Sequence, residues 1–155
     1  MATVAIGRRS GVVVKATTDR ALLRAYLEQD RLYSAYAICD LEEREFARTR
    51  WGMAWDGDQP VALVLEYNGP TPQPLFITGR PDGIGVILRD LIRPRAAYIA
   101  ARSEAIPAIS AYYRVDPGVA MVRMWVDRAR FRPYPASVQR LLPIENGELN
   151  RLYQL

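Results

Sequence analysis

The chain contains no histidine. This absence excludes serine and cysteine triads that use a histidine base, histidine-ligated metals, and any acid–base step that needs an imidazole. Cys39 is the single cysteine, so an internal disulfide cannot form and a cysteine-based zinc site is excluded. An enzyme made from this sequence must therefore work with carboxylates, tyrosines, backbone amides or bound water.

Long apolar runs are also missing. The apolar stretch at residues 12–14 is too short for the core of a signal peptide, and no later stretch approaches the length of a membrane span. We therefore expect a cytoplasmic protein with no membrane partner. The chain has 155 residues, of which 50% are hydrophobic, and this fits one core. We predict a flexible segment over residues 1–10 and a single domain over residues 11–155.

Lysine is nearly absent, and arginine supplies almost all the positive charge of a chain whose net charge is +4. A basic balance favours acidic partners such as phosphates, cofactors or nucleic acid. The arginines are nevertheless spread along the whole chain, and only Arg128, Arg130 and Arg132 form a tight cluster. We therefore favour a solvated, arginine-rich surface over a nucleic-acid interface and expect no nucleic-acid partner.

Apolar residues at helical spacing predict two or three helices between about residues 18 and 49. Thr18 is a suitable N-cap for the first of these helices, with Asp19 in its positive first turn. Asp40 and Glu43 have the spacing of a capping box, which predicts a short helix through Thr49.

Alternating and apolar runs predict the strands. Residues 51–55 and 61–67 flank an Asp- and Gly-rich turn, which is typical of an antiparallel hairpin. The other predicted strands are residues 12–16, 75–78, 96–101, 119–127 and 138–142. The other predicted helices are residues 86–92, a helix from Ser103 to about Tyr113, and a terminal helix that includes Leu149 and Leu152. This mixture predicts an α/β (α+β) fold.

The most informative motif is a strand that enters a glycine-rich turn, predicted over residues 79–85, and leaves it as a helix. Glycines let backbone N–H groups approach a phosphate, and the helix N-terminus adds unpaired donors and a positive dipole end. Arg80 can add a forked, charge-assisted contact. The pattern predicts a pyrophosphate cradle, although glycine turns between strand and helix also arise for purely steric reasons.

The order of predicted elements over about residues 12–142 resembles the GNAT family of N-acetyltransferases. The turn Arg80-x-x-Gly83-x-Gly85 is similar to the family's Arg/Gln-x-x-Gly-x-Gly/Ala turn, which holds the pyrophosphate of acetyl-CoA. The resemblance implies that Arg80, Gly83 and Gly85 bind this cofactor, with the amides of Ile84 and Val86 among the donors. It also implies a mostly antiparallel mixed sheet of six to seven strands with helices on both faces.

The activity that this resemblance implies is transfer of an acetyl group from acetyl-CoA to a small amine or a peptide. Ala108-Ile-Ser-Ala-Tyr112 is similar to the family's Ala-x-x-x-Tyr stretch, whose tyrosine can protonate the departing CoA thiolate. The alternative role for Tyr112 is packing on the sheet. Glu66 is the candidate base, because a carboxylate in an apolar strand is costly and often marks function. Its alternative is a place on an exposed face, and Asp127 and Glu104 are weaker candidates.

Three features depart from the family pattern. Pro81 has no N–H, Asp82 puts a negative charge beside the expected anion, and Asp116-Pro117-Gly118 replaces the usual Gly-Phe pair. Short segments, among them Tyr36-Ala-Ile-Cys-Asp-Leu41, also resemble the N-terminal half of two-unit GNAT proteins. The alternative function is therefore a non-catalytic module that packs on a catalytic GNAT unit or forms a homodimer.

Overall fold

The computed structural model describes residues 11–116, 118 and 121–133. Its strands are β1 (Val12–Ala16), β2 (Thr49–Asp56), β3 (Gln59–Tyr67), β4 (Gln73–Gly79) and β5 (Ala97–Ala100). Its helices are α1 (Arg20–Leu27), α2 (Arg31–Cys39), α3 (Glu43–Phe46), α4 (Pro81–Asp90) and α5 (Ile106–Ser110), with 3₁₀ turns at Glu28–Asp30 and Ser103–Ala105. None of these helices has the length and apolar character needed to cross a membrane.

Contacts within the chain group it into two compact units, Met1–Arg123 and Met124–Leu155. All the strands and helices named above belong to the first unit. In the described part of the second unit, residues 124–133, the backbone forms a turn at residues 128–130. The single domain over residues 11–155 stays a prediction.

The first unit contains a five-stranded sheet in the order β1-β2-β3-β4-β5. Neighbouring strands from β1 to β4 are antiparallel, and β4 pairs with β5 in parallel. The expectation of an α/β fold with a mostly antiparallel, mixed sheet is thus confirmed. The expected six to seven strands are not, since the described part of the chain has five.

The strand predicted over residues 119–127 is wrong for the residues that the structure describes. Residues 121–127 have no strand pairing, and the side chains of Met121, Val122 and Met124 are exposed. Alternation alone does not create a strand, because the backbone groups also need a partner to pair with. The strand predicted at residues 138–142 and the terminal helix with Leu149 and Leu152 lie outside the described residues.

Both faces of the sheet are covered. Along β3, Ala62 and Val64 face a core that includes residues of α4 and α5, whereas Leu63 and Leu65 face a core that includes residues of α1 and α2. All four side chains are buried. This double burial explains why residues 61–67 read as a continuous apolar run instead of an alternating one.

Two predicted helix starts are wrong by one or two residues. The N-cap of α1 is Asp19, not Thr18, and the Asp19 carboxylate accepts hydrogen bonds from the amides of Ala21 and Leu22, both at 3.0 Å. The N-cap of α3 is Glu42, which makes no side-chain capping bond, so the expected capping box does not form. At α1, Thr18 and Asp19 are both suitable caps and stand next to each other, so the sequence alone does not decide between them.

The start of α4 is a larger correction. The helix begins at Pro81, five residues before the expected Val86, so Gly83 and Gly85 lie inside the helix. Proline suits the first helical position because its fixed φ is helical and it has no N–H to satisfy. The turn itself is reduced to Gly79, whose φ of 107° is the left-handed backbone that glycine tolerates.

Candidate functional site

The parallel strands β4 and β5 differ in length at their carboxyl ends. They pair over residues 73–76 and 97–100, where β5 ends, and β4 continues through Ile77, Thr78 and Gly79 with β3 as its partner. In sheets with parallel strands, ligands bind in crevices outside the carboxyl ends. We call the opening between Ile77–Gly79 and the Ser103–Ala105 turn the wedge.

A cavity of about 380 Å³ lies in the wedge. Side chains from three directions line it: the α1–α2 region, the free end of β4, and the segment after β5. They are Tyr26, Gln29, Asp30, Ser34, Ile77, Thr78, Arg102, Glu104 and Ala105, together with Gly79. The volume lies within the range of small-molecule sites.

Arg102 joins two walls of the wedge. Its guanidinium donates a hydrogen bond to the Asp30 carboxylate and lies over the Tyr33 ring, 4.4 Å from the ring centroid. The Tyr33 hydroxyl in turn donates to the Ile77 carbonyl at 2.8 Å. Sequence reasoning missed this group, because Asp30 and Arg102 are 72 residues apart and share no local pattern.

The wedge contains two further ionisable groups of interest. Burial raises the pKa of Tyr26 to about 12, so its hydroxyl keeps its proton at neutral pH and can donate a hydrogen bond. Hydrogen bonds from its own backbone amide and from Ser103 hold the pKa of Glu104 below its ordinary value, so this carboxylate is ionised. Glu104, the weaker candidate in the sequence, is thus the predicted acid–base residue that lies in the wedge.

Arg80 lies next to the wedge, directly after Gly79, and its guanidinium is engaged by two carboxylates. Its Nε and Nη2 donate to the two oxygens of Asp82 at 3.0 and 2.5 Å, and its Nη1 donates to Asp56 Oδ2 at 2.8 Å. These contacts raise the pKa of Arg80 and lower that of Asp82. The expected phosphate-binding arginine is therefore bound to the protein's own anions.

The first amides of α4 are also engaged. Pro81 has no N–H, the Ile84 N–H donates to the Arg80 carbonyl at 3.0 Å, and the Asp82 carboxylate accepts from the backbone of Gly83. Val86 lies two residues further into the helix. The donors expected from Ile84 onwards therefore belong to the helix ladder, and the negative side chain of Asp82 lies at the positive end of α4.

The two glycines of the motif have different surroundings. A Cβ on the buried Gly83 would lie 2.8 Å from Ala62 Cβ and 3.1 Å from Ala54 Cβ, so this glycine lets α4 pack closely on the sheet. A Cβ on Gly85 would meet Tyr112 Cε2 at 3.9 Å, an ordinary contact. Gly83 therefore has a clear steric role, whereas Gly85 does not.

The predicted catalytic residues Tyr112 and Glu66 lie outside the wedge. Tyr112 packs against the core beside Gly85, with the Arg93 guanidinium 5.9 Å from its ring centroid. Glu66 pairs across the sheet with Leu75, which precedes Gly79 by four residues, or roughly 13 Å along the strand. Neither side chain lines the wedge cavity. Asp127 closes the turn at residues 128–130 by accepting from the Arg130 amide at 2.8 Å.

Among the described residues, no group of three or more Cys, Asp or Glu side chains is placed to hold a metal ion. No family model and no curated protein match the sequence. The solved structures include a similar chain, a ribosomal-protein-alanine N-acetyltransferase from Brucella melitensis biovar Abortus 2308. The likeness covers 73% of this chain and 99% of that one, with 18% sequence identity and a TM-score of 0.40. A likeness of this size assigns no role to any residue.

Proposed function

We propose that this chain is a GNAT-type acyltransferase unit that transfers an acetyl group from acetyl-CoA to an amine in the wedge. The observation that carries the proposal is the cavity of about 380 Å³ beyond the carboxyl end of β5, beside the last three residues of β4. Helix α4 begins two residues after β4, so a cofactor in the wedge would have its phosphates near the helix N-terminus. The sequence resemblance supports the same assignment.

The wedge residues have the chemistry that an amine acceptor needs. Asp30 and Glu104 supply two carboxylates against the single arginine Arg102, which favours the protonated form in which amines arrive. Beyond Phe76, β4 has no strand partner on the β5 side among the described residues, which leaves backbone groups there for a ligand. When bound, acetyl-CoA would supply the activated acetyl group. Glu104 or water would take the proton that the ammonium releases before it attacks, and the second proton of the nitrogen would leave with the CoA thiolate as the free thiol.

Cofactor binding requires Arg80 to exchange carboxylates for a pyrophosphate. Its ion pairs with Asp56 and Asp82 are exposed, and exposed pairs contribute about 0–1 kcal/mol each. We therefore propose that Arg80 turns to the phosphates when acetyl-CoA arrives, while Gly83, Ile84, Gly85 and Val86 lie in the first two turns of α4 beneath them. In this proposal Tyr112 lies beside Gly85 and takes no part in the reaction.

A second candidate is a non-catalytic GNAT-like module that packs against a catalytic unit or a second copy of itself. The observation that favours it is the start of α4, where Pro81 offers no amide and Asp82 already binds both Arg80 and the backbone. In this case the carboxylate of Asp82 occupies the place at the start of α4 where a phosphate would bind.

Calorimetric titration with acetyl-CoA separates these candidates. The acetyltransferase proposal predicts binding by the wild type, about tenfold weaker in Arg80→Gln because a hydrogen bond to a charged group is lost. Arg89→Gln is the matched control, since Arg89 lies at the other end of α4 and also pairs with an aspartate, Asp90. Binding by Asp82→Asn but not by the wild type would favour the closed, non-catalytic module. Absence of binding in every protein would contradict a cofactor site at α4.

A further inference from the structure

A second cavity, of about 310 Å³, lies at the carboxyl end of α4. Its charged lining residues are Arg50, Glu66, Arg89, Asp90 and Arg93. It shares no lining residue with the wedge and lies at the opposite end of β4, since Glu66 pairs with Leu75. We call it the α4 cavity.

Glu66 is the most buried of these charged groups, with 8% of its surface exposed. Its nearest cation within the described chain is Arg50, whose Nη1 lies 3.8 Å from Glu66 Oε2, too far for a hydrogen bond. Its carboxylate oxygens can still be reached from the cavity, because no fully buried side-chain oxygen of the described residues lacks a hydrogen-bond partner. Glu66 therefore offers acceptor capacity to whatever enters the cavity.

The arginines around Glu66 differ in how far they are already satisfied. Arg89 is held by Asp90 through two hydrogen bonds of 2.7 Å, so this pair is neutral. Arg93 makes no ion pair with any described residue, and its guanidinium lies near the Tyr112 ring. Within the described chain, the cavity thus presents the Glu66 carboxylate and two guanidiniums, those of Arg50 and Arg93, that make no hydrogen bond to a carboxylate.

We propose that the α4 cavity binds a small zwitterion, whose ammonium donates to Glu66 and whose carboxylate accepts from Arg93. A lone anion would meet the Glu66 charge and the negative end of the α4 dipole. A lone cation would meet the charges of Arg50 and Arg93, since Asp90 neutralises Arg89. Only a ligand that carries both charges complements both features, and a cavity of about 310 Å³ has room for a small amino acid.

The test is NMR titration of the ¹⁵N-labelled full chain with glycine, β-alanine and 4-aminobutyrate, which place the two charges at increasing separation. Butylamine and butyrate supply each charge alone. At least one zwitterion should shift the amides of Glu66, Leu91 and Arg93 saturably, and each single-charge probe should bind at least about tenfold more weakly. Equal binding of butyrate would make this a plain anion site and overturn the proposal, as would no saturable shift with any zwitterion.

Substitutions then test the two contacts separately. Glu66→Gln and Arg93→Gln should each weaken the best zwitterion about tenfold, because each removes a charge-assisted bond. Arg93 is exposed, so its variant folds even if the Glu66 variant does not. Arg95→Gln is the matched control, an exposed arginine two residues away that does not line the cavity. Unchanged affinity in Arg93→Gln would refute the proposed carboxylate contact.

Discussion

At the residue scale, the two glycines of α4 serve different purposes, and substitution by alanine separates them. Gly83→Ala should lower the free energy of unfolding by about 1–3 kcal/mol, because its Cβ would be forced against Ala62 and Ala54. Gly85→Ala should raise it by about 0.5–1 kcal/mol, since alanine favours the helix and space is available. Urea unfolding of both variants measures this. Equal effects at the two positions would contradict the packing described for α4.

Asp82 makes stability depend on pH. The hydrogen bond from Arg80 lowers the pKa of this carboxyl in the folded chain below 3.8, its ordinary value in the unfolded chain. The ion pair therefore stabilises the fold fully at pH values above 3.8. It is lost as the pH falls below 3.8 and through the lower folded-state pKa. The urea midpoint of the wild type should therefore fall more steeply on acidification than that of Asp82→Asn. Parallel pH curves would show that the Arg80–Asp82 pair contributes nothing.

The partners of Arg80 show which contacts a local sequence pattern can predict and which it cannot. A local pattern places Arg80, Gly83 and Gly85 on one turn and draws attention to Asp82. It contains no information on Asp56, which reaches Arg80 from β2. For the same reason Glu66 could be recognised as unusual in an apolar strand, but its separation from the wedge depends on strand register, which involves the whole sheet.

At the element scale, the strands followed from the sequence better than the helix starts. The predicted strand at residues 12–16 matches β1, and residues 51–55 and 61–67 fall within β2 and β3, because apolar runs bounded by turn residues are strong local signals. Helix starts are weaker signals. In α4, Gly83 suggests an interruption of the helix, but it lies within the helix because the sheet leaves no room for a side chain there.

The start of α1 provides a direct test. Asp19→Ala should cost about 1 kcal/mol of unfolding free energy, because the amides of Ala21 and Leu22 lose their acceptor. Thr18→Ala is the control, since Thr18 is exposed and is not the cap residue. Thermal or urea unfolding distinguishes the two. A larger loss of unfolding free energy for Thr18→Ala would show that Thr18 is the N-cap, as expected from the sequence.

At the scale of the whole molecule, the doubly covered sheet determines where chemistry can occur. Helices on both faces leave the strand ends as the accessible positions, and the wedge cavity lies at one of them, beyond the end of β5. The resemblance anticipated this type of sheet. The wedge residues could not be predicted, because Tyr26, Asp30 and Arg102 meet only after the α1–α2 region and the segment after β5 fold onto β4.

The most direct test of the acetyltransferase assignment is to map acetyl-CoA on the ¹⁵N-labelled chain by NMR. The account predicts saturable shifts at the amides of Thr78 and Ala105 in the wedge, together with those of Asp82 and Gly83 at the start of α4. Shifts confined to other parts of the chain, or none at millimolar acetyl-CoA, about −4 kcal/mol of binding free energy, would contradict it.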